Sequence, residues 1–140
     1  MQLSAKTQNA CIAAMELARR FDDPQPVSLK TIADAHGLSP QFLVQILLQL
    51  KRAGVVKSIR GASGGYRLAA DPDEISLLDI VSALEGQPAE FAVSSDNPVG
   101  RVISDHWTSL VAQHHERLAE TTLTSLVAAI ESPLADMYYI

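Results

Sequence analysis

The sequence predicts a mainly α-helical fold carrying one small β-hairpin, with a long helix appended behind it. Three observations lead there. Apolar residues recur at helical spacing through most of the chain, one alternating β-branched run stands at 55–60, and an amphipathic stretch from Val99 to about Thr121 is far longer than the helices before it. With 140 residues there is enough chain for one domain and an appendage, and too little for two independent domains.

The first helix is expected from about Ser4, which can cap it, to Phe21, with Cys11, Ala14, Met15, Ala18 and Phe21 on its apolar face. "DDPQP" at 22–26 stops it, because two prolines and two aspartates favour a turn. A second helix follows Ser28, a good N-cap, with Leu29, Ile32 and Ala33 facing inward, His36 in its last turn and Gly37 as its stop. The third is capped by Ser39, carries Pro40 at a position where a missing N–H does no harm, and ends at Gly54. Leu43, Ile46, Leu47 and Leu50 form its buried stripe, and Gln41, Gln45, Gln49 and Arg52 share the opposite face. Two short helices joined by a glycine-containing turn make a helix-turn-helix pattern. "VVKSIR" (55–60) and "YRLA" (66–69) then read as two antiparallel strands. "ISLLDIVSALEG" is a further helix, with Ser76 and Asp79 as a capping pair and Gly86 as its stop.

These elements divide the chain into a head at 1–86, a linker at 87–98, a long helix and a short last helix within 99–132, and a tail at 133–140. Val102, Ile103, Trp107, Leu110, Val111, His114 and Leu118 form the apolar stripe of the long helix, and Thr122 caps the short one.

Charge separates the halves. Residues 1–70 hold nine Lys and Arg against four acids, whereas residues 71–140 hold two against twelve, giving −5 overall. A basic front half points to a polyanionic partner. No apolar run reaches the roughly 18–20 residues of a membrane span, and the first residues lack the pattern of a signal peptide, so a cytoplasmic protein without a membrane partner is expected. The single cysteine, Cys11, excludes an internal disulfide, and no Cys/His ligand spacing is present, so no metal site is expected.

The loop between the strands, "RGASGG", sits between Ile59 and Tyr66 and is dense in glycine. A phosphate-binding loop of the GxxxxGK[ST] type would need a following lysine and helix, and neither is here. A plain hairpin turn is the alternative, although it needs fewer glycines. The reading its position favours is a wing: a hairpin directly after a helix-turn-helix, its glycines allowing close approach to phosphates or the minor groove, with Arg60 and Arg67 supplying charge. The predicted fold is then a winged helix-turn-helix with a long helix behind it.

The chain resembles the Rrf2 family of bacterial winged-helix transcription regulators. The resemblance lies in "LSAKTQNA", "VSLKTIADAHGLSPQFLVQILLQLKRAGVVKSIRGASGGYRLA", "ISLLDIVSALEG" and "TTLTSLV". It implies a homodimer whose long helices cross, through Ile103, Trp107, Leu110, Val111, His114 and Leu118, and which presents two heads to a two-fold symmetric site on double-stranded DNA. It implies DNA contacts from Lys6, Ser28, Ser39, Gln41, Gln45, Arg60, Gly61, Ser63, Gly64, Gly65 and Tyr66. The residue types suit those roles: glutamine can bond adenine N6 and N7 together, serine or a helix N-terminus can hold phosphate, and arginine can enter the minor groove. For Tyr66, packing beneath the wing is an alternative, and Gln49 and Arg52 have solvation as theirs. Two departures stand out. The family often has Tyr and Glu where this chain has Phe42 and Val44. Its cluster-binding members place three cysteines in the segment matching 87–105, where this chain has none. Thiolates are the usual iron–sulphur ligands, so no cofactor is expected.

The effector, a small molecule or a protein, is not legible. His106, His114 and His115 lie on the long helix at spacings poorly suited to a metal, and polar positions at a dimer seam explain them better. Cys11 reads as a buried, inert thiol, with an oxidisable switch as the alternative if it is exposed and acidified. The function expected is a sequence-specific DNA-binding regulator, a repressor, reading a palindromic operator through residues 40–53 and wing 60–66. The competing reading is a winged-helix module that binds another protein first and DNA second. No nucleophile–base pair or carboxylate pair suggests an enzyme.

Overall fold

The computed structural model describes residues 3–86 and 96–132. The predicted linker and the tail therefore lie outside the described residues, apart from Asp96, Asn97 and Pro98. Helix α1 (Ala5–Arg19) is capped by the Ser4 hydroxyl, which accepts from the Thr7 N–H. It is shorter than expected: Phe21 falls past its end, in the turn that begins at Arg20. Its buried face also differs. Thr7, Ala10, Ala13, Ala14, Leu17 and Ala18 are buried, while Cys11 and Met15 sit half-buried on the flank.

Helix α2 (Leu29–His36) starts at Ser28, whose hydroxyl accepts from the Thr31 N–H, and stops at Gly37 in the left-handed region. Helix α3 (Pro40–Arg52) is capped in the same way by Ser39, with Pro40 in its first turn. Its stripe of Leu43, Ile46, Leu47 and Leu50 is completely buried. Strands β1 (Val56–Ile59) and β2 (Gly65–Leu68) form the antiparallel hairpin, pairing Val56 with Leu68 and Ile59 with Gly65. One turn of 3-10 helix (Pro72–Glu74) leads to α4 (Leu77–Glu85), opened by the Ser76–Asp79 capping box. The long helix α5 (Pro98–Glu120) and the short α6 (Leu123–Glu131), capped by Thr122, complete the fold.

Helix α1 is the hub, packing against α3, α4 and α6, with the hairpin on its flank. Helix α6 returns to the head. Leu77 N–H donates to Thr121 O and Leu123 N–H to Ile75 O, both at 2.9 Å, and the Leu123 side chain is fully buried in the head core. Helix α5, by contrast, buries none of its residues completely, although Val111, His114 and Leu118 are partly covered. Among the described residues no helix is long and apolar enough to cross a membrane.

Candidate nucleic-acid interface

The exposed face of α3 carries Gln41, Gln45 and Arg52, all open to solvent because the opposite stripe is consumed by the core. The fourth expected member of that ridge, Gln49, does not belong to it. It is half-buried, and its Oε1 is buried without a hydrogen-bond partner among the described residues. The helix turns Gln49 toward the protein, and the exposed arc runs instead through Gln41, Val44, Gln45, Leu48 and Arg52. Lys51, next to it, donates to the Ser58 hydroxyl at 2.7 Å and so ties α3 to β1.

The glycine loop owes its composition to three separate demands. Gly61 has φ +118°, a conformation that L side chains rarely adopt, and its carbonyl accepts from the Gly64 N–H at 3.0 Å. A Cβ on Gly64 would lie 2.3 Å from Ile59 O, and one on Gly65 would lie 2.3 Å from Val27 O. Gly65 is crowded because the residue after it, Tyr66, exchanges two backbone hydrogen bonds with Val27, at 2.8 and 2.9 Å. This short bridge fixes the hairpin against the start of α2. Tyr66 packs half-buried against the core, so its ring supports the wing from below.

Arg67 does not supply charge to the wing as expected. Its guanidinium donates to Pro24 O at 2.9 Å and to Phe21 O at 2.8 Å, and sits 5.6 Å from the centre of the Phe21 ring. A neighbouring β2 side chain thus clamps the 21–26 turn. Arg60, at the tip, is exposed, as are Lys57, Gly61 and Ser63.

The structure brings Ser28, Ser63 and Gly64 together. They line one cleft of about 290 Å³ with Arg20, Asp23, Gln25 and Thr31, between the wing and the N-terminal end of α2. The Ser28 hydroxyl is already engaged with Thr31, and that of Ser39 with Phe42, so each contributes mainly by exposing a helix N-terminus. Lys6 stands apart from this cleft, in the first turn of α1. There Glu85 of α4 accepts from the Ser4 N–H, the Ser4 hydroxyl and the Thr7 hydroxyl, and these bonds hold its carboxyl below the usual range.

A buried carboxylate escaped the sequence reading. Glu16, only 4% exposed, lies 3.2 Å from Arg19, 3.5 Å from Arg20 and 3.7 Å from His36 at the end of α2. Its spacing of three and four from two arginines was a visible signal, but its contact across to α2 was not. Burial pushes the Cys11 thiol up from its usual value, away from the acidified state that reactive cysteines need. Among the described residues no group of three or more His, Cys, Asp or Glu side chains is placed to hold a metal ion.

On α5, Val99, Val102, Ile103, Trp107 and Leu110 form an exposed apolar row, from 45 to 72% open. The rest of the described chain leaves this row uncovered.

This arrangement recurs in known proteins. The sequence profile of the Rrf2 family, described as an iron-dependent transcriptional regulator, matches residues 3–129. The chain is 37% identical over 142 residues to the HTH-type transcriptional regulator CymR of Bacillus subtilis, covering 100% of both chains. The solved structure of CymR, the global cysteine regulator of B. subtilis, superposes with a TM-score of 0.81 at 36% identity, over 91% of this chain and 97% of that one. The structure of T. potens IscR gives a TM-score of 0.76 at 35% identity, over 93% and 88%. A helix-turn-helix with a glycine-built wing, a long appended helix and a family match across nearly the whole chain lead to one conclusion: the protein belongs to the Rrf2 family of winged-helix transcriptional regulators.

Proposed function

We propose that the protein is a homodimeric repressor that binds a palindromic operator, each subunit placing α3 in a major groove and the tip of its wing against the neighbouring backbone or minor groove. The observation that carries this reading is the exposed face of α3, where Gln41, Gln45 and Arg52 are open to solvent, followed in the chain by a hairpin whose tip carries the exposed Arg60. Glutamine amides match adenine edges, and the cations match phosphates. The cleft of Ser28, Ser63 and Gly64, lying at a helix N-terminus, suits a phosphate between wing and head. The apolar row of α5 supports pairing with a second copy, which would present two heads to two half-sites one or more helical turns apart. A cytoplasmic location fits a role on DNA.

The family description invokes iron, but the donor set here does not fit a thiolate-held cluster: the whole chain has one cysteine, half-buried in α1. We assign the protein no cofactor, and its effector is a small molecule or a protein partner.

The test is selection from a random duplex pool with purified protein, followed by mobility shifts on the enriched sequence. A two-fold symmetric site is expected, with affinity falling steeply as salt rises. Equal affinity for random and selected duplex would refute sequence-specific regulation.

A further inference from the structure

The outward face of α3 is not purely polar. Val44 is 41% exposed and Leu48 38% exposed, while Leu43, Ile46, Leu47 and Leu50 close the core without them. On a helix, positions three and four apart share a face, so Gln41, Val44, Gln45 and Leu48 form one patch, with Arg52 a turn beyond. Neither apolar side chain is explained by the core, and valine is a weaker helix former than the charged residues that usually fill such positions.

We propose that Val44, with Leu48 beside it, reads thymine 5-methyl groups, so that each preferred half-site sets a thymine next to the adenine held by Gln41 or Gln45. The inference rests on the reading of α3 as the recognition helix. Only thymine offers a methyl group in the major groove, and an adenine alongside offers the paired N7 and N6 that a glutamine amide matches. Valine has neither donor nor acceptor. Placed against cytosine N4 or guanine O6 it strips water from a polar edge and returns nothing, so the same side chain favours A·T and disfavours G·C. The occupant is DNA rather than a protein because the apolar part is two side chains set among glutamines, with Arg52 a turn along the same helix and two more exposed cations, Lys57 and Arg60, on the hairpin that follows. That charge complements a polyanion.

The experiment uses the full chain and its selected operator. Each thymine is replaced in turn by deoxyuridine, which pairs identically but lacks the methyl. Wild type is expected to lose about fourfold in affinity at the contacted thymine, and about fifteenfold when both half-sites are changed, from the usual value of one buried methyl-sized group. The double variant V44A/L48A, both positions being exposed, is expected to fold normally and bind thymine and uracil operators equally. V44E is expected to enrich cytosine at that position, since a carboxylate accepts from N4. Wild-type binding that is sequence-specific yet indifferent to uracil at every position overturns the inference, as does a double variant with undiminished sensitivity. Failure to enrich any sequence is a different result: it overturns the recognition-helix reading, and this inference with it.

Discussion

Replacing Gly65 with alanine puts a methyl carbon where the backbone of residues 27–28 already lies. The added Cβ would stand 2.3 Å from Val27 O, 2.5 Å from Val27 C and 2.9 Å from Ser28 N, and none of these is the yielding end of a side chain. The hairpin must move away, and both hydrogen bonds between Val27 and Tyr66 are lost or stretched. Two backbone bonds at about 1 kcal/mol each, with about 1 kcal/mol of residual strain, give a loss of about 3 kcal/mol. For a chain of this size that lowers the melting temperature by about 10 °C. Circular dichroism at 222 nm, followed on heating, measures it (the wavelength is about the usual helix minimum). Gly61→Ala is the internal control. Its φ of +118° is unfavourable for alanine, but no atom lies within 4 Å of the added carbon, so the cost is about 1–2 kcal/mol and remains in the loop. A G65A protein melting within about 2 °C of wild type would show that the bridge to Val27 does not hold the wing, and the reasoning fails.

Four further outcomes follow from the same geometry. Arg60→Ala is expected to reduce the salt dependence of DNA binding by about one counterion, whereas Arg67→Ala is expected to leave that slope unchanged and to cost about 2 kcal/mol of stability, because its charge is spent on two carbonyls. Binding isotherms at several salt concentrations, with melts, separate the two. Leu110→Asp, on the exposed row of α5, is expected to yield a 15.1 kDa monomer by sedimentation velocity and to weaken operator binding more than about tenfold. Glu85 has a folded pKa below the ordinary 4.5, so its bonds to Ser4 and Thr7 stabilise the fold fully above that value and fade as pH falls through the lowered folded value. Glu85→Gln is expected to flatten that part of the stability–pH curve, measured by urea titration. Finally, iodoacetamide is expected to label Cys11 much more slowly in the native protein than in the unfolded one, since the thiol is half-buried and its pKa raised; Cys11→Ser is expected to bind DNA normally before and after oxidant.

Much of the fold is local chemistry and could be read directly. Ser28, Ser39, Ser76 and Thr122 all cap helices as their positions suggested, and Gly37 is left-handed where a stop was expected, because a cap depends on three or four neighbouring residues. The outward glutamines at 41 and 45 follow from helical period alone. What escaped depends on partners distant in sequence. Arg67 looked like wing charge until the turn at 21–24 came up beneath it, and Gln49 looked like ridge until the packing of α3 half-buried it. Glu16 is buried on α1 beside its own Arg19 and Arg20, and only the arrival of His36 from α2 completes its surroundings. The glycine loop joins the two strands that the alternating runs predict, but two of its glycines answer to nearby backbone in the hairpin and at residue 27, a constraint that no turn preference contains.

The return of α6 sets a limit on how such proteins can be recombined. With Leu123 seated in the head and residues 121–123 stitched beside the start of α4, the DNA-reading unit is closed by chain that comes after the long helix. A graft carrying only residues 1–86 onto a foreign oligomerising module would arrive with an open socket in its centre. New specificities in this architecture are therefore more readily acquired by changing side chains on a retained frame than by exchanging heads.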